Sequence, residues 1–96
     1  MNSNEERRRG RIEVEREAAE ERVTMALAHL SEAQRLVDRA AQQLCSVNGL
    51  APEWQRLCLL LNGVKRHWRA ISRKTDRLVA QDRLFIDPNL LPRIRE

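Results

Sequence analysis

The sequence predicts an all-α protein: a long antiparallel helical hairpin with coiled-coil-like packing that dimerises into a four-helix bundle. Three observations predict this fold class. Each half of the chain carries an apolar seam at heptad spacing, a turn signal lies between the halves, and apolar side chains exceed what one hairpin buries. Aromatic residues make up 3% and charged residues 33% of the 96 residues. This composition disfavours an aromatic-lined pocket, so no small-molecule substrate is expected.

The first helix is predicted over residues 17–47. Its apolar side chains recur at steps of three and four or their multiples, which places them on one helical face. Alanines flank this seam every seven residues and allow another helix to approach closely. Residues 1–16, before this helix, are rich in Glu and Arg and predict a charged, weakly held helical arm. The first seam and its flank are Val23, Leu27, Leu30, Val37 and Leu44, with Ala26, Ala33 and Ala40.

A turn is predicted at residues 48–51 and the second helix at 52–83. Asn48 and Gly49 tolerate the left-handed conformation that ends helices, and Pro52 suits the first turn of a helix. Asn62-Gly63 is also a turn signal, but the apolar spacing continues through it, which favours one helix, straight or kinked, over two short ones. The second seam is Trp54, Leu57, Leu61, Val64, Trp68, Ile71, Thr75 and Leu78.

The second helix has more apolar side chains near its start than one stripe requires. Leu59 and Leu60 fall off the seam and would be exposed in a lone hairpin. The simplest cover is a second copy of the chain, which gives a four-helix bundle from two hairpins. Alternatively, a different protein binds over Leu59 and Leu60. Either way, Leu59 and Leu60 are predicted to make protein contacts.

Residues 84–96 form an apolar tail whose two prolines exclude a long helix. In one interpretation Leu84, Phe85 and Ile86 fold back on Ile12, Val14 and Ala19 and close the end of the hairpin. In the other, the tail is a linear motif that docks on a partner. The predicted docking residues are Phe85, Ile86, Leu90 and Leu91.

Positive charge is concentrated in the second half, which carries ten basic and five acidic side chains among residues 51–96. A basic helical face is commonly a solvated surface whose alkyl stems shield the seam. It could also contact the phosphate backbone of a nucleic acid or an acidic protein partner. The candidate contact residues are Arg66, Arg69, Arg73, Lys74 and Arg77.

No catalytic, cofactor or metal site is predicted. His29 and His67 lie in no recognisable triad, and a phosphate-accepting role for His67 has no supporting motif. His29 and Cys45 would be about 24 Å apart on one helix, too far for one metal ion. Cys45 and Cys58 are expected to be free thiols, with a disulfide across the turn as the alternative. The longest apolar run, residues 57–61, is too short to span a membrane.

The sequence therefore predicts a small non-catalytic protein–protein interaction module: an adaptor, a regulator or an assembly subunit. It would act through its helical faces and its C-terminal tail, in the cytoplasm, or in the nucleus of a eukaryotic cell. A nucleic-acid-associated accessory protein is the alternative function. Unrelated proteins use helical hairpins for many purposes, so the pattern does not identify the partner.

Overall fold

The computed structural model describes residues 3–87, 89 and 90, and it describes the side chains of this range except those of residues 3–9, 11 and 12. Helix α1 spans Ser3–Leu44 and helix α2 spans Ala51–Ala80. The two helices pack against each other, and the described residues contain no strand. The molecule measures 72 × 27 × 16 Å. The all-α class is confirmed and the arrangement is that of a hairpin; dimerisation into a four-helix bundle stays a prediction.

Helix α1 runs without interruption through the predicted arm and ends at Leu44, three residues before the predicted end at position 47. The chain leaves the helix at Ser46, whose φ is +68°, and the Val47 N–H donates to the Leu44 carbonyl at 3.1 Å. Gly49, with φ +85°, supplies a second left-handed residue inside the turn. Because Ser46 is already left-handed, the helix ends before the predicted position, and residues 45–50 connect the helices. How firmly the arm is held stays a prediction.

Helix α2 runs through Asn62-Gly63 as one helix and ends at Ala80, before the predicted end at position 83. Asp82 has a left-handed φ of +54°, and its N–H donates to the Val79 carbonyl at 3.1 Å. The Arg83 N–H donates to the Leu78 carbonyl at 2.8 Å. This pair of bonds is the Schellman pattern of helix ends, here with an aspartate in place of the usual glycine. The chain therefore reverses three residues earlier than predicted.

The interface between the helices is narrow. Among the described residues, Ala19, Ala41 and Leu61 are the buried hydrophobic side chains, and the other predicted seam residues except Ile71 are half-buried. The Trp68 indole N–H donates to the Leu27 carbonyl at 3.0 Å and ties the two helices together. Ile71 departs from its predicted place in the seam: it lies at the seam edge and is 37% exposed.

The tail returns along the N-terminal part of α1. Leu84 and Phe85 line a small cavity of about 150 Å³ together with Glu15, Arg16 and Asp82. Leu84 is half-buried, whereas Phe85 stays 55% exposed and Val14 on α1 65% exposed. The tail thus lies against α1 without burying the side chains of Phe85 and Val14. Ile12 was also predicted to contact the tail, but its side chain lies outside those that the structure describes.

Candidate interaction surfaces

One side of the hairpin, which we call the polar side, is lined by hydrophilic residues of both helices. A shallow cleft of about 280 Å³ runs between α1 and α2 there, lined by Trp68 and four polar residues. A second cleft of similar size continues it along the helices. The polar residues that line the two clefts are Ser31, Gln34, Arg35 and Asp38 of α1 and Lys65 and Arg69 of α2.

Electrostatics on α1 is dominated by one local pair. The Arg35 Nε donates to a Glu32 carboxylate oxygen at 3.0 Å, and an Arg35 terminal nitrogen donates to the other oxygen. This hydrogen bonding lowers the pKa of Glu32 and raises the pKa of Arg35. Both side chains are about half exposed, so the pair is an ordinary solvated contact and contributes little to stability.

The opposite side of the hairpin, which we call the alanine side, combines small and apolar residues with exposed polar ones, since helical spacing also places Arg22, His29, His67 and Lys74 there. On α1 it presents Ala26, Ala33 and Ala40, and on α2 it presents Leu60, Val64 and Ile71. Helical spacing places these residues across the seam from those that line the polar side. Leu60 is 53% exposed and Ile71 37% exposed, Ala26 is exposed, and Val64 is half-buried. One side of the hairpin therefore carries partly exposed apolar side chains, with polar side chains between them.

The register of the hairpin explains why the alanine side is open. The hydrogen bond from Trp68 to the Leu27 carbonyl and the contact between Arg16 and Asp82 show the axial register of the hairpin, that is, which residues of α1 and α2 lie at the same height along its length. That register places alanines of α1 level with large aliphatic residues of α2. An alanine side chain is too short to cover these aliphatic residues, so their outer surfaces remain exposed to solvent. The pairs at equal height on this side are Ala40 with Leu57, Ala33 with Val64 and Ala26 with Ile71; Ala19, at the height of Leu78, is itself buried.

Leu59 and Leu60, which the sequence grouped together, point in directions about 100° apart because they are neighbours on a helix. Leu60 belongs to the alanine side. Leu59 is 70% exposed and lies on the outward surface of α2, beside the basic residues. Their predicted protein contacts are therefore on two different surfaces, and both contacts stay predictions.

The basic residues predicted as candidate contacts form a broad outward face on α2. Each of them is exposed. Ion pairs within the described residues involve Arg16 and Arg35 and none of these cations. The face therefore presents uncompensated positive charge to solvent. It comprises Arg66, Arg69, Arg73, Lys74 and Arg77, and two of these, Lys74 and Arg77, also line a groove near the end of α2.

The tail residues predicted to dock differ in exposure. Phe85 is 55% exposed and Leu90 77% exposed, whereas Ile86 is half-buried. Leu91 lies outside the described residues. At the start of the tail the Arg16 guanidinium lies 3.7 Å from an Asp82 carboxylate oxygen and 3.8 Å from Glu20. Two apolar tail side chains are thus left available to solvent.

Cys45 is an exposed free thiol and Cys58 a half-buried free thiol. In the described part of the chain, no three His, Cys, Asp or Glu side chains come together as a metal site would require. Neither described helix combines the length and the apolar character needed to cross a membrane.

The described residues define a class: an all-helical hairpin with a polar side, an alanine side and a basic outward face on α2. A comparison with known protein families, curated proteins and solved structures gave no match to this chain. Its function has to be argued from these three surfaces. The spacing of the alanines predicts a close-packing flank on α1, but its pairing with Leu57, Val64 and Ile71 of α2 was not predicted. A usable signal was present, because Leu57, Val64, Ile71 and Leu78 recur every seven residues, as the alanines do.

Proposed function

We propose that this protein is a non-catalytic interaction module, an adaptor, regulator or assembly subunit, that works as a homodimer. In this proposal two hairpins join through their alanine sides into a four-helix bundle, and the remaining surfaces contact a protein partner. The observation that carries the proposal is the uncovered apolar side formed by Ala26, Ala33, Leu60, Val64 and Ile71. Four-helix bundles commonly bury such surfaces between helix pairs.

The accessible surface of the chain supports self-association. It amounts to 8631 Å² for a mass of 11.2 kDa. A compact monomer of that mass exposes about 5,700 Å² by the scaling of folded surface with mass. The excess is about 2,900 Å² per chain, whereas obligate homodimer interfaces bury about 2,000–5,000 Å² in total, or about 1,000–2,500 Å² per chain. Covering the alanine side with a second copy would remove a part of this excess.

Leu60→Glu is expected to convert the dimer to a monomer. The substitution places a charge in the centre of the apolar interface, where it loses hydration without gaining a partner. Light scattering at tens of micromolar should show a dimer for the wild type and a monomer for the variant, with a dissociation constant raised at least about tenfold, or about 1.4 kcal/mol. Circular dichroism should show that both remain helical.

Leu59→Glu is the matched control, because it introduces the same charge one residue away on the outward surface of α2. We expect this variant to stay dimeric. A monomeric wild type at tens of micromolar would exclude the homodimer and leave a different protein as the cover. Equal loss of dimer in both variants would exclude the alanine side as the specific interface.

The tail and Leu59 are assigned to the protein partner in this proposal. The exposure of Phe85 and Leu90 supports this assignment, since burial of solvent-exposed apolar side chains on docking contributes favourable free energy to binding. We place the dimer in the cytoplasm. Its two free thiols support this location, because reducing compartments keep cysteines unpaired.

A nucleic-acid-associated role is the second candidate, favoured by the uncompensated cations on α2. An Arg69→Glu/Arg73→Glu variant is expected to abolish duplex binding, and binding of the wild type should fall tenfold or more with modest added salt, as phosphate contacts do. Arg22→Glu/Arg39→Glu makes the same charge change on exposed residues of α1 and should retain most binding. The absence of wild-type binding at low salt in a duplex titration would remove this function.

A further inference from the structure

We infer that the groove at the end of α2 binds a phosphate monoester group, carried by a phosphorylated side chain of the protein partner. The groove has a volume of about 390 Å³ and is lined by Lys74, Arg77, Leu78, Gln81 and Arg83. Ligand pockets typically measure about 300–1,000 Å³, so the groove has room for a side chain together with its phosphate. The inference rests on the proposed protein partner for the source of the phosphate, but it does not require the homodimer.

The end of α2 brings the three cations of the groove together. Lys74 and Arg77 are neighbours on the surface of the helix because they are three residues apart. The helix then ends at the left-handed Asp82, and the Arg83 N–H donates to the Leu78 carbonyl at 2.8 Å. This reversal returns Arg83 to the last turns of the helix, where it lines the same groove. The prediction from sequence continued α2 to residue 83 and did not contain this convergence.

The positive charge in the groove is uncompensated within the described part of the chain. None of the lining residues is acidic, and none of the three cations forms an ion pair with a described residue. Asp82 precedes Arg83, but its carboxylate lies 3.7 Å from Arg16, in the cavity between the tail and α1. All three cations are exposed. The groove therefore favours an anion over a cation or a neutral ligand.

Three cations in one groove suit a phosphate monoester better than the backbone of a nucleic acid. A phosphorylated side chain carries a charge of about −1.5 to −2 at pH 7 and three acceptor oxygens on one phosphorus atom. Arginines bind phosphate through paired hydrogen bonds, lysine adds a point charge, and the Gln81 amide can donate as well. A nucleic acid instead spreads single charges along its strand, which suits a row of cations rather than a convergent group.

The position of the groove at the start of the tail supports a protein as the source of the phosphate. Phe85, two residues after Arg83, is 55% exposed, and the half-buried Leu78 gives the groove an apolar wall. A phosphorylated segment of the partner would therefore find apolar contacts close to the site of its phosphate. Recognition of phosphorylated motifs by clusters of arginines is a recurring mode of peptide binding.

A titration with O-phosphoserine, followed by heteronuclear NMR spectroscopy at constant ionic strength, tests the inference. The signals of the Gln81 side-chain amide and of the Arg77 and Arg83 Nε–H groups should shift and reach saturation. An Arg77→Gln/Arg83→Gln variant should bind at least about tenfold more weakly, since hydrogen bonds to charged groups are the strong ones. Both side chains are exposed, and the same spectra show that the variant remains folded.

Arg56→Gln/Arg66→Gln is the matched control, because it makes the same charge change on exposed residues of α2. Arg66 lies about 12 Å from Lys74 along the helix, and salt at about 0.1 M screens charges separated by more than about 10 Å. This variant should therefore retain most of its affinity for phosphoserine. Equal weakening in the two double variants would show that α2 attracts anions as a whole, and would overturn the inference.

Two further ligands identify the chemistry of the site. Diethyl phosphate carries one charge and two free oxygens, as each unit of a nucleic-acid backbone does, and should bind much more weakly than phosphoserine. Equal binding of the two would overturn the phosphate monoester and favour the nucleic-acid role. No saturating shift at tens of millimolar phosphoserine would remove the site altogether.

Inorganic phosphate distinguishes a phosphorylated protein from free phosphate as the source. A capped leucine–phosphoserine–leucine peptide should bind more tightly than inorganic phosphate, because it adds apolar contacts to the same charge. Equal affinities would overturn the assignment to a protein and leave free phosphate as the ligand. No partner protein takes part in these titrations, so their failure would leave the proposed interaction module and its homodimer intact.

Discussion

Replacing Leu61 with alanine is expected to lower the free energy of unfolding by about 3 kcal/mol. Leu61 is 9% exposed and is the one large side chain among the buried hydrophobic residues of the described chain. Its removal leaves a cavity between α1 and α2, in an interface where no other large described side chain is buried. Truncation of a buried leucine typically costs about 2–5 kcal/mol. Urea denaturation followed by helical circular dichroism measures the change.

Leu59→Ala is the control for Leu61→Ala, because it removes the same atoms from the same helix two residues earlier. Leu59 is 70% exposed, so its truncation should change stability by about 0.5 kcal/mol or less. All chains must be compared at one concentration, since the stability of a dimer depends on it. If the two truncations cost the same, the seam does not run through Leu61 and the hairpin described above is incorrect.

Replacing Trp68 with alanine is expected to have a similar or larger effect, about 3–4 kcal/mol. The half-buried indole packs between the helices, and its N–H donates to the Leu27 carbonyl at 3.0 Å. The alanine loses both the apolar contact and a hydrogen bond that joins α1 to α2. Trp68→Phe separates the two contributions, because it keeps an aromatic ring and removes only the donor and part of the ring area.

Trp54→Phe is the matched control for Trp68→Phe. Trp54 is also half-buried in α2, so it reports the cost of the smaller ring with the bond between Trp68 and Leu27 left intact. Trp68→Phe should therefore cost about 1 kcal/mol more than Trp54→Phe, the usual net value of one hydrogen bond. Equal costs in chemical denaturation would show that the bond contributes nothing to stability.

Dimerisation and recognition would use different surfaces in the proposed assembly. The alanine side would be buried between copies, whereas Arg66, Arg69, Arg73 and Arg77 point away from it and would remain on the outside of the bundle. Lys74, three residues after Ile71, would lie at the edge of the alanine side. The Leu60→Glu variant should therefore keep its basic face while it loses its partner copy. A nucleic-acid activity, if present, would weaken in that variant only through loss of bivalency, because the phosphate contacts themselves would survive.

Much of the fold could be predicted because heptad spacing depends only on the geometry of one helix. The steps through Leu57, Leu61, Val64 and Trp68 predict α2 and its contact face, and these residues do lie at the interface. The helix ends were harder to place. Ser46 and Asp82 adopt left-handed conformations. Serine rarely does so, and gave no sign that α1 would end three residues early, whereas aspartate tolerates this conformation and was a weak sign at the end of α2.

The sequence by itself determined the helical class, the two seams and the basic character of α2, because these depend on local periodicity and composition. Only the tertiary structure decided which flanks share a side of the hairpin. That depends on the register set by Trp68 and Leu27 and on how deeply each side chain enters the interface. It moved Ile71 to the edge, separated Leu60 from Leu59, and joined the alanines to the exposed aliphatic residues of α2. Spacing along one helix carries no information about the height of its neighbour, so this surface emerges only when both helices are in place.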